Sequence, residues 1–520
     1  MKTKYKLLFI ISIFALLVSS CYEDLSKVKE FEIPEVKIDT TGIASSFSIF
    51  QNEVLQISPK VSREGLSESD LSYEWLVTTT PYKFGYYSDE IFMHLSSKKD
   101  LDTIISLRPS NNPYGLWYRV KDNKEDLVYS VVWEVYINAS YGEGLLVADT
   151  QDGITTDLSL IMGRNFTEDY NANDPKIFHH LYSLNNNEKI DGLVNSMCYD
   201  YNSSTNSKVL FMTTNNLFEA IDLLDFSIIG QNLELSYDDQ LTFNPTQIIR
   251  NGSYAFLINN SEIRNLYLSA MRIGISVSGD YEVDKYLSVV HETSGIEPRF
   301  VFYDKKNNRF MQIIGYVSSS TVPREFTYNS ETDPFNPNNM HDLECLKANI
   351  GPYGNHYFIM KNKQTGIQIY TLGSTGAKML YNISSPVFED IEEVVDFVIC
   401  ENQEVAFFAT KDKIYAILLA GATPRVELKF TMPIGEEITH LDMFRQAWYL
   451  INPSKYIYGV GYKVPMDTHE MLLLVGSYSS GGKGTLYTIP LTGVNTGNID
   501  DANIKTFGGF GKIIGTVAQE

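Results

Sequence analysis

Apolar and polar positions alternate along most of the chain after Glu35, in short segments separated by turn-forming residues. A period of two over about four to eight residues, bounded by Gly, Pro, Asn, Asp or Ser, predicts antiparallel β-strands. The segments recur differently in residues 35–138 and in residues 141–520. We therefore predict an all-β protein with two modules.

The first module, residues 35–138, has the length of an immunoglobulin-like β-sandwich, which takes about 100 residues. Its clearest strand segments are 54–58, 73–77, 117–120 and 129–137. Trp75 lies at the centre of the second segment, where a central strand of a sandwich buries an aromatic side chain between the sheets. The pattern predicts a β-sandwich built around this tryptophan.

The second module, residues 141–520, repeats one unit: an apolar strand, a polar turn and a second strand. The first strands begin at Leu145, Val209, Tyr254, Val301, Tyr357, Val405 and Met471. Seven units in this module average about 54 residues, longer than a bare propeller blade, which implies inserted loops. A ring of radial sheets protects the strand edges of such hairpins, so the repeat predicts a seven-bladed β-propeller. A long β-sandwich, or two stacked sandwiches, is the alternative.

Three short segments in the later part of the second module carry further predictions. The strand-like segment 513–517 is predicted to close the ring against the first blade. A tight turn is expected just before it, in the glycine-rich segment 508–511. Glu436 and Glu437, within a Gly-Glu-Glu-Ile segment, are interpreted as a solvated turn.

The N-terminus has the layout of a secretory signal peptide. Three lysines lie within residues 1–6, residues 7–18 are apolar except for Ser12, and two serines precede Cys21. Twelve residues are too few to span a bilayer, which needs about 20. We predict a signal peptide at 1–20 and a tether at 21–34. A signal peptide with an accidental cysteine, or a short anchor helix, is the alternative.

Segment 18–21, Val-Ser-Ser-Cys, resembles a bacterial lipobox, in which the cysteine is acylated and becomes the first mature residue. The resemblance implies that lipid on Cys21 holds the chain on a membrane, because two or more acyl chains give stable attachment. Glu23 and Asp24 resemble the export signal of Bacteroidota surface lipoproteins. This implies the cell-surface side of the outer membrane, with the periplasmic face as the alternative.

The mature chain is strongly acidic. Without residues 1–20 it has 39 Lys and Arg against 64 Asp and Glu, a net charge of −25. Such a surface repels nucleic acid and anionic lipid, so we expect no nucleic acid as a partner and no membrane contact beyond the lipid anchor. A hydrophobic content of 43% and an aromatic content of 13% indicate packed modules rather than disorder.

The remaining cysteines, Cys198, Cys345 and Cys400, are widely spaced and form no Cys-x-x-Cys pair. Neither a structural zinc site nor a disulfide framework is supported by this spacing. Buried free thiols are the prediction, and one disulfide stays open as the alternative.

The sequence contains no local catalytic motif: neither His-Glu-x-x-His, nor a Gly-x-Ser-x-Gly elbow, nor a P-loop. Segment 149–153 resembles the start of an EF-hand loop, but its glycine is fifth rather than sixth, so it predicts an Asp-Gly hairpin turn. We expect no cofactor, and calcium bound between loops in another way stays open. A carboxylate pair for glycoside hydrolysis also stays open, because its members come from separate loops.

Segment 321–341 is the most suggestive stretch for binding, since long loops often carry function. It contains three prolines together with aromatic, amide and carboxylate side chains. The candidate ligand- or partner-binding residues are Phe326, Tyr328, Asp333, Phe335, Asn336 and Asn338. Aromatic faces beside polar groups suit sugar rings, and they suit a docking surface on a partner equally well. A merely variable loop is the third interpretation.

Tyr73 and Trp75 on one strand, followed by Val120 and Asp122 before a turn, resemble the Tyr-x-Trp strand and Val-x-Asp turn of polycystic-kidney-disease (PKD) domains. The order of lipobox, sandwich and hairpin series is similar to the PKD-like family of Bacteroidota surface lipoproteins. The resemblance implies a non-catalytic accessory component of a starch-utilisation-type (Sus) nutrient-uptake system. Its partners would be a TonB-dependent transporter and its lid lipoprotein, and its ligand a glycan or a peptide. An extracellular propeller glycosidase or lyase is the alternative, and a purely structural scaffold is the third.

Overall fold

The computed structural model describes residues 35–65, 67–82, 92–110, 112–202, 207–251, 254–290, 299–315, 317, 320–364, 366–383, 394–421, 423–452, 456–457 and 461–520. The predicted signal peptide, Cys21 and the tether to residue 34 lie outside these residues. The chain divides between Asn138 and Ala139 into two compact units.

In its described residues the first unit is built from nine strands. They are β1 (Lys37–Asp39), β2 (Ser46–Phe50), β3 (Val54–Ile57), β4 (Lys60–Ser62), β5 (Leu71–Thr78), β6 (Phe92–Ser96), β7 (Leu101–Ile104), β8 (Tyr114–Asp122) and β9 (Leu127–Asn138). One sheet has the order β2-β9-β8-β5-β6, and the pairs β3-β7 and β1-β4 form two small sheets. Strand β2 runs parallel to β9, and the other pairings are antiparallel.

Trp75 anchors the core of this unit, as the alternation predicts. Its side chain is fully buried, and its ring centroid lies 4.3 Å from that of Tyr118 and 5.7 Å from that of Trp133. The indole Nε1 donates a hydrogen bond to the Lys98 carbonyl at 3.1 Å. A buried tryptophan needs such an acceptor because its N–H otherwise loses its hydrogen bond to water.

In its described residues the second unit contains seven large sheets, six of four strands and one of five, and one small two-stranded sheet. Blade one begins with β10 (Gly144–Thr150), β11 (Asp157–Met162) and β12 (Lys176–Phe178). Blades two to four follow as β13 (Ser196–Asn202), β14 (Ser207–Thr213), β15 (Phe218–Asp222), β16 (Ile228–Gln231); β17 (Pro245–Asn251), β18 (Tyr254–Asn259), β19 (Glu262–Tyr267), β20 (Arg272–Ser276); β21 (Val283–Val290), β22 (Arg299–Asp304), β23 (Arg309–Ile314), β24 (Arg324–Glu325).

Blades five and six repeat this four-stranded meander. Their strands are β25 (Leu343–Ile350), β26 (His356–Asn362), β27 (Gly366–Gly373), β28 (Gly376–Ile383); β29 (Asp396–Ile399), β30 (Val405–Ala409), β31 (Lys413–Leu418), β32 (Arg425–Thr431). Blade seven and the strands inserted in it are β33 (Glu436–Met443), β34 (Tyr456–Ile457), β35 (Gly461–Tyr462), β36 (Leu472–Ser479), β37 (Gly484–Thr492), β38 (Asn498–Ile499), β39 (Lys505–Phe510). The last strand of the chain is β40 (Lys512–Gln519).

Helical elements in the described residues are short and lie in connections. The α-helices are α1 (Leu181–Asn186) and α2 (Ala447–Ile451), and the 3₁₀ turns are Glu68–Asp70, Asn232–Leu235, Pro352–Gly354 and Asp501–Asn503. None of the helices in the described part of the chain has the length and apolar character needed to cross a bilayer.

Strand β40 completes blade one and closes the ring. It pairs with β10 through Gly144↔Gln519 to Thr150↔Lys512, so the first blade takes its inner strand from the C-terminus. The inner strands β13, β17, β21, β25, β29, β33 and β40 contact one another in this order, and β40 contacts β13 again. The predicted closure by segment 513–517 is therefore confirmed, and so is the seven-bladed β-propeller.

The seven predicted strand starts fall at or beside the second strand of each blade, β10, β14, β18, β22, β26, β30 and β36. These strands are covered on both sides, which makes them apolar and easy to recognise. The interpretation of Glu436 and Glu437 as a solvated turn is wrong, because β33 begins at Glu436. The preceding Gly435, with φ of 89°, makes the turn instead. The predicted tight turn before β40 falls at Gly511, one residue after β39 ends.

Candidate functional site

The six loop residues proposed for binding lie between blades four and five, and most are engaged by the loop itself. Phe326 is 3% exposed within a hydrophobic cluster. The side chain of Asn338 accepts a hydrogen bond from the Phe326 N–H at 3.2 Å and donates one to its carbonyl at 2.8 Å. Phe326 packs against residues of blades four and five, so its burial does not fit a contact with a ligand.

The other candidates are divided between the loop's own structure and its surface. Phe335 packs edge-on against Tyr370, with ring centroids 4.9 Å apart. Asn336 accepts a hydrogen bond from the Asn338 N–H at 3.0 Å, and Asp333 accepts one from the Asn329 N–H at 2.8 Å. Tyr328 is 38% exposed. A binding role for these residues stays a prediction, and it fits Tyr328 best.

The acidic turn in segment 149–153 is held by hydrogen bonds within the chain. Asp149 accepts the Gly511 N–H at 2.7 Å, which ties blade one to the closing turn. Asp152 accepts the N–H groups of Ile154 and Thr155 at 2.8 and 2.7 Å. The side-chain and backbone hydrogen bonds of Thr155 are the main causes that lower the pKa of Asp152. Within the described residues no group of three or more His, Cys, Asp or Glu side chains is placed to hold a metal ion.

A second polar cluster lies beside α1 on blade one. His180 Nδ1 lies 3.4 Å from Asp157 Oδ2, and Ser183 Oγ donates a hydrogen bond to that oxygen at 2.5 Å. In a hydrolytic triad the hydroxyl bonds to the imidazole, which in turn bonds to the carboxylate. Here the serine bonds directly to the aspartate, so the cluster fastens α1 to blade one.

The central channel of the propeller brings together polar side chains from different blades. It encloses a cavity of about 510 Å³, within the range typical of small-ligand sites. The inner strands of all seven blades contribute residues to its wall. The polar lining residues are Asn195, Ser196, Thr246, Gln247, Arg250, Lys347, Asn349, Asp396, Glu401, His440, Asp442, Arg445 and Thr516.

Hydrogen bonds join four pairs of neighbouring inner strands around this channel. They are Ile248 N–H to Ser196 Oγ at 3.1 Å, Leu287 N–H to Gln247 Oε1 at 2.7 Å, Cys345 N–H to Asp284 Oδ2 at 2.6 Å, and Thr439 Oγ1–H to the Ile513 carbonyl at 2.7 Å. Each bond crosses from one blade to the next. The side chains therefore fix the spacing of strands that share no backbone ladder.

An ion pair joins blades five and six inside the channel. Lys347 Nζ donates to Asp396 Oδ1 at 3.0 Å, and each side chain remains 25% exposed to the channel. Burial opposes the lysine charge, but Asp396, followed by Tyr286 and Asp442, outweighs it and raises the pKa of Lys347 above its ordinary value. The ammonium therefore stays charged at neutral pH.

The polar array continues through blades seven and one. His440 Nε2 lies 3.0 Å from Thr516 Oγ1, and Thr516 Oγ1 donates to Asp442 Oδ2 at 3.3 Å. Since the threonine hydroxyl gives its proton to the aspartate, it accepts one from His440 Nε2. The other ring nitrogen, Nδ1, lies 4.0 Å from Asp396 Oδ2. Burial lowers the pKa of His440 more than Asp442 and Asp396 raise it, so the imidazole is mainly neutral at pH 7.

Arg445 marks one end of the channel, where blades six and seven meet. Its guanidinium contacts Glu470 and donates to the Ile399 carbonyl at 2.9 Å, and Glu401 Oε2 lies 4.0 Å away. The Glu401 N–H donates to Glu470 Oε2 at 2.7 Å. Burial raises the pKa of both glutamates although Arg445 opposes that shift. This cluster holds the segment that follows β33 in place.

Helix α2 lies across the same end of the channel. Each inner strand follows the outer strand of the preceding blade, so all inner strands run in the same direction. Helix α2 follows the end of the inner strand β33. We call the face where the inner strands end the bottom face and the opposite one the top face. From blade seven, α2 reaches the inner strands β40, β13 and β17, with Ala447 and Trp448 buried at 3% and 1% exposure. The channel is thus a pocket capped at the bottom face.

Sequence reasoning missed this pocket. Lys347, Asp396, His440 and Thr516 are far apart along the chain and share no motif. A polar residue at an interior strand position, as His440 is in β33, could have been a signal, but no strand was predicted at that segment. The three described cysteines, Cys198, Cys345 and Cys400, are buried and free, as predicted.

Residues 21–193 match the model of the PKD-like family. This match confirms the predicted PKD-like resemblance over that segment, which extends into blade one. No curated protein shows significant similarity to the chain.

Several solved structures align with the chain at low identity. A protein from Lactobacillus plantarum has a TM-score of 0.45 at 8% identity, covering 73% of this chain and 100% of its own. The β-propeller domain of Myceliophteria thermophila Cps50 (Swd1) has a TM-score of 0.36 at 10% identity, covering 60% and 86%. A DUF4784 family protein from Bacteroides caccae has a TM-score of 0.31 at 8% identity, covering 76% and 95%.

Proposed function

We propose that this protein is an outer-membrane lipoprotein, anchored through Cys21 and facing the cell surface, that binds a ligand or partner for a Sus-type nutrient-uptake system. The lysine-rich N-terminus, the apolar run and the Val-Ser-Ser-Cys segment support the anchor. The match to the PKD-like family over residues 21–193 is consistent with this proposal. The single observation that carries the binding role is the capped central cavity lined by all seven blades.

Binding is favoured over catalysis by the way the cavity carboxylates are engaged. A glycosidase needs two carboxyl groups that can act on one glycosidic bond. Asp396 is paired with Lys347, and Asp442 accepts hydrogen bonds from Thr516 Oγ1 and from the Met443 N–H. Both carboxylates are therefore held in fixed contacts by the protein itself, and each keeps lone pairs that can accept a hydrogen bond from a ligand hydroxyl. A propeller glycosidase or lyase remains the second class, without a specific observation in its favour.

The proposed anchor is tested by comparing the wild-type chain with the variant Cys21→Ser in a native host. We expect the wild type in the outer-membrane fraction, labelled by radioactive palmitate and cleaved by protease added to intact cells. The variant should lose both the label and the membrane attachment, because the cysteine carries the acyl chains. Membrane attachment of the variant at the wild-type level would refute the anchor. Protection of the wild type from protease would refute the surface-facing part alone.

The accessory role is tested by affinity purification of the tagged, lipidated protein from native membranes in a mild detergent. Recovery of a TonB-dependent transporter and its lid lipoprotein in comparable amounts is the expected result. The same purification with Cys21→Ser controls for proteins that bind the tag or the resin. Recovery of the chain alone, under conditions that preserve other transporter complexes, would refute a stable subunit.

A further inference from the structure

The central cavity presents hydrogen-bond donors and acceptors side by side. The Lys347 ammonium adjoins the Asp396 carboxylate, and the neutral His440 adjoins Thr516, which bonds to Asp442. Lys347 and Asp396 keep part of their surface open to the cavity. A ligand that enters the pocket therefore meets a partner of each kind within a few ångströms.

The cavity wall as a whole carries as many cationic as carboxylate side chains, and this balance discriminates between classes of ligand; they are Arg250, Lys347 and Arg445 against Asp396, Glu401 and Asp442. A hydroxyl group donates one hydrogen bond and accepts others, so it can bridge an ammonium and the adjacent carboxylate without separating them. An anionic ligand would compete with Asp396 for Lys347 and leave that carboxylate without its cation. A cationic ligand would compete with Lys347 for Asp396 and leave the ammonium without its counter-ion. Because burying an unpaired charge is costly, the array favours an uncharged ligand rich in hydroxyl groups.

The remaining lining suits the less polar faces of such a ligand. Tyr286, Val289 and Ile248 line the same cavity beside the polar residues. Sugar rings present C–H groups on their faces and hydroxyl groups around the rim. Sites of this kind combine an apolar lining with a few positioned polar groups.

The cap at the bottom face determines how a chain-like ligand can enter. Helix α2 crosses the bottom end of the channel and touches three inner strands, and Arg445, directly before it, is fixed by Glu470. The top face is then the side of entry. A pocket with one entry takes the end of a chain, whereas an open groove takes its middle.

We propose that the central cavity binds the terminal unit of an uncharged oligosaccharide, with Lys347, Asp396 and the His440–Thr516–Asp442 array bonding to its hydroxyl groups. This inference rests on the proposed binding function and adds the class of ligand and the mode of entry. The propeller then recognises chain ends among the products of an endo-acting depolymerase.

The test begins with the full chain, purified in detergent and screened against immobilised neutral oligosaccharides, acidic oligosaccharides and short peptides. Titration calorimetry then measures the affinity for the best ligand at low and at high salt. We expect a neutral oligosaccharide to bind, with an affinity that changes less than twofold with salt, because screening acts on interactions between charges. Within a series of one to six units, the affinity should reach its plateau by the second or third unit.

Three cavity variants locate the site: Lys347→Met, Asp396→Asn and Thr516→Val. Losing a hydrogen bond to a charged group should lower the affinity about 10- to 100-fold, and losing the threonine bond about 2- to 10-fold. The matched controls are Lys411→Met and Glu437→Gln. These two side chains form an exposed ion pair, 2.8 Å apart, on the top face of the ring, and neither residue lines the cavity. The controls should bind within twofold of the wild type.

Folding of each cavity variant is verified by its urea midpoint, and the conservative Thr516→Ser variant, which keeps a hydroxyl, should restore binding lost in Thr516→Val. Hydrogen exchange provides a second readout on the unmodified chain. Bound sugar should slow exchange in β25, β33 and β40 and leave β32 unchanged.

Four results would overturn the proposal. They are the absence of binding to any neutral oligosaccharide, equal affinity in folded cavity variants, salt-dependent binding of an acidic ligand or peptide, and affinity that keeps rising with chain length. The first three refute the site or the ligand class, and the last refutes end-on entry. Transporter recovery without sugar binding would refute this inference and leave the accessory function standing. Sugar binding by a chain that purifies alone would do the reverse.

Discussion

Ile513 offers a direct test of ring closure, because it lies on β40 and is fully buried in the core shared with blades one and seven. A Cβ atom placed on Gly476 of blade seven would lie 2.8 Å from Ile513 Cβ, which shows how closely the two strands pack. Ile513→Ala removes three carbon atoms, about 2.4 kcal/mol at ~0.8 kcal/mol each, and adds a cavity cost. We expect a loss of about 3–4 kcal/mol in the free energy of unfolding.

The neighbouring Ile514 is the matched control. It has the same side chain on the same strand, but it lies on the channel side and is half-buried. Ile514→Ala should therefore cost only about 1 kcal/mol, since part of the side chain is already in contact with water. The difference between the two variants isolates the closing contact from general effects on β40.

The assay is equilibrium urea unfolding of residues 139–520, followed by the fluorescence of Trp448, the only tryptophan in that segment. Because a multi-bladed domain need not unfold in one step, hydrogen exchange in β10 and β40 is measured alongside. Equal destabilisation by both variants, or a loss below about 1 kcal/mol for Ile513→Ala, would refute the packing of β40 as the inner strand of blade one.

Trp75→Ala should lower the free energy of unfolding of the first unit by about 3–5 kcal/mol, measured by urea unfolding of residues 35–138. Trp75→Phe should lower it clearly less, and equal losses would contradict the central role of the indole. Burial raises the pKa of Glu219 to about 7, although the hydroxyl of Tyr182 donates to it at 2.8 Å. For an acid with a raised folded pKa, the stability gained by protonation is present below pH ~4.3 and is lost as the pH rises through about 7. Glu219→Gln should therefore flatten the fall in urea midpoint between pH 4.5 and 8 relative to the wild type, and an unchanged slope would exclude this glutamate. The three buried thiols should resist a thiol reagent in the folded chain and react with it in urea. Burial raises the pKa of each thiol and excludes the reagent. Rapid labelling without denaturant would contradict their burial.

The success and failure of the sequence predictions follow from where each strand lies in its blade. Second strands such as β10 and β30 are buried throughout, so they appear as uninterrupted apolar runs. The inner strand β33 has a mixed pattern because one side faces the channel. Its first residue, Glu436, was misinterpreted because a charged residue is typical of a solvated turn. Its carboxylate instead accepts hydrogen bonds within blade seven, from Tyr487 and Ser477 at 3.0 and 2.6 Å.

The loop between blades four and five shows the same limit for the candidate site. Composition singled out segment 321–341, but it could not tell which aromatic side chains face the solvent. Phe326 is buried and Tyr328 is exposed, although they are two residues apart. Their difference depends on how the loop lies against blade five, which the local pattern does not encode.

The sequence alone determined the buried second strands of the blades, the hairpin repeat, the buried Trp75 and the closure by strand β40, because burial leaves its pattern on neighbouring residues. The tertiary structure decided which polar side chains meet in the channel. Lys347, Asp396, His440 and Thr516 come from four inner strands, and they interact only because the closed ring brings those strands to one axis. Electrostatic interactions depend on distance through space, and a linear pattern contains no information on that distance until the ring has closed.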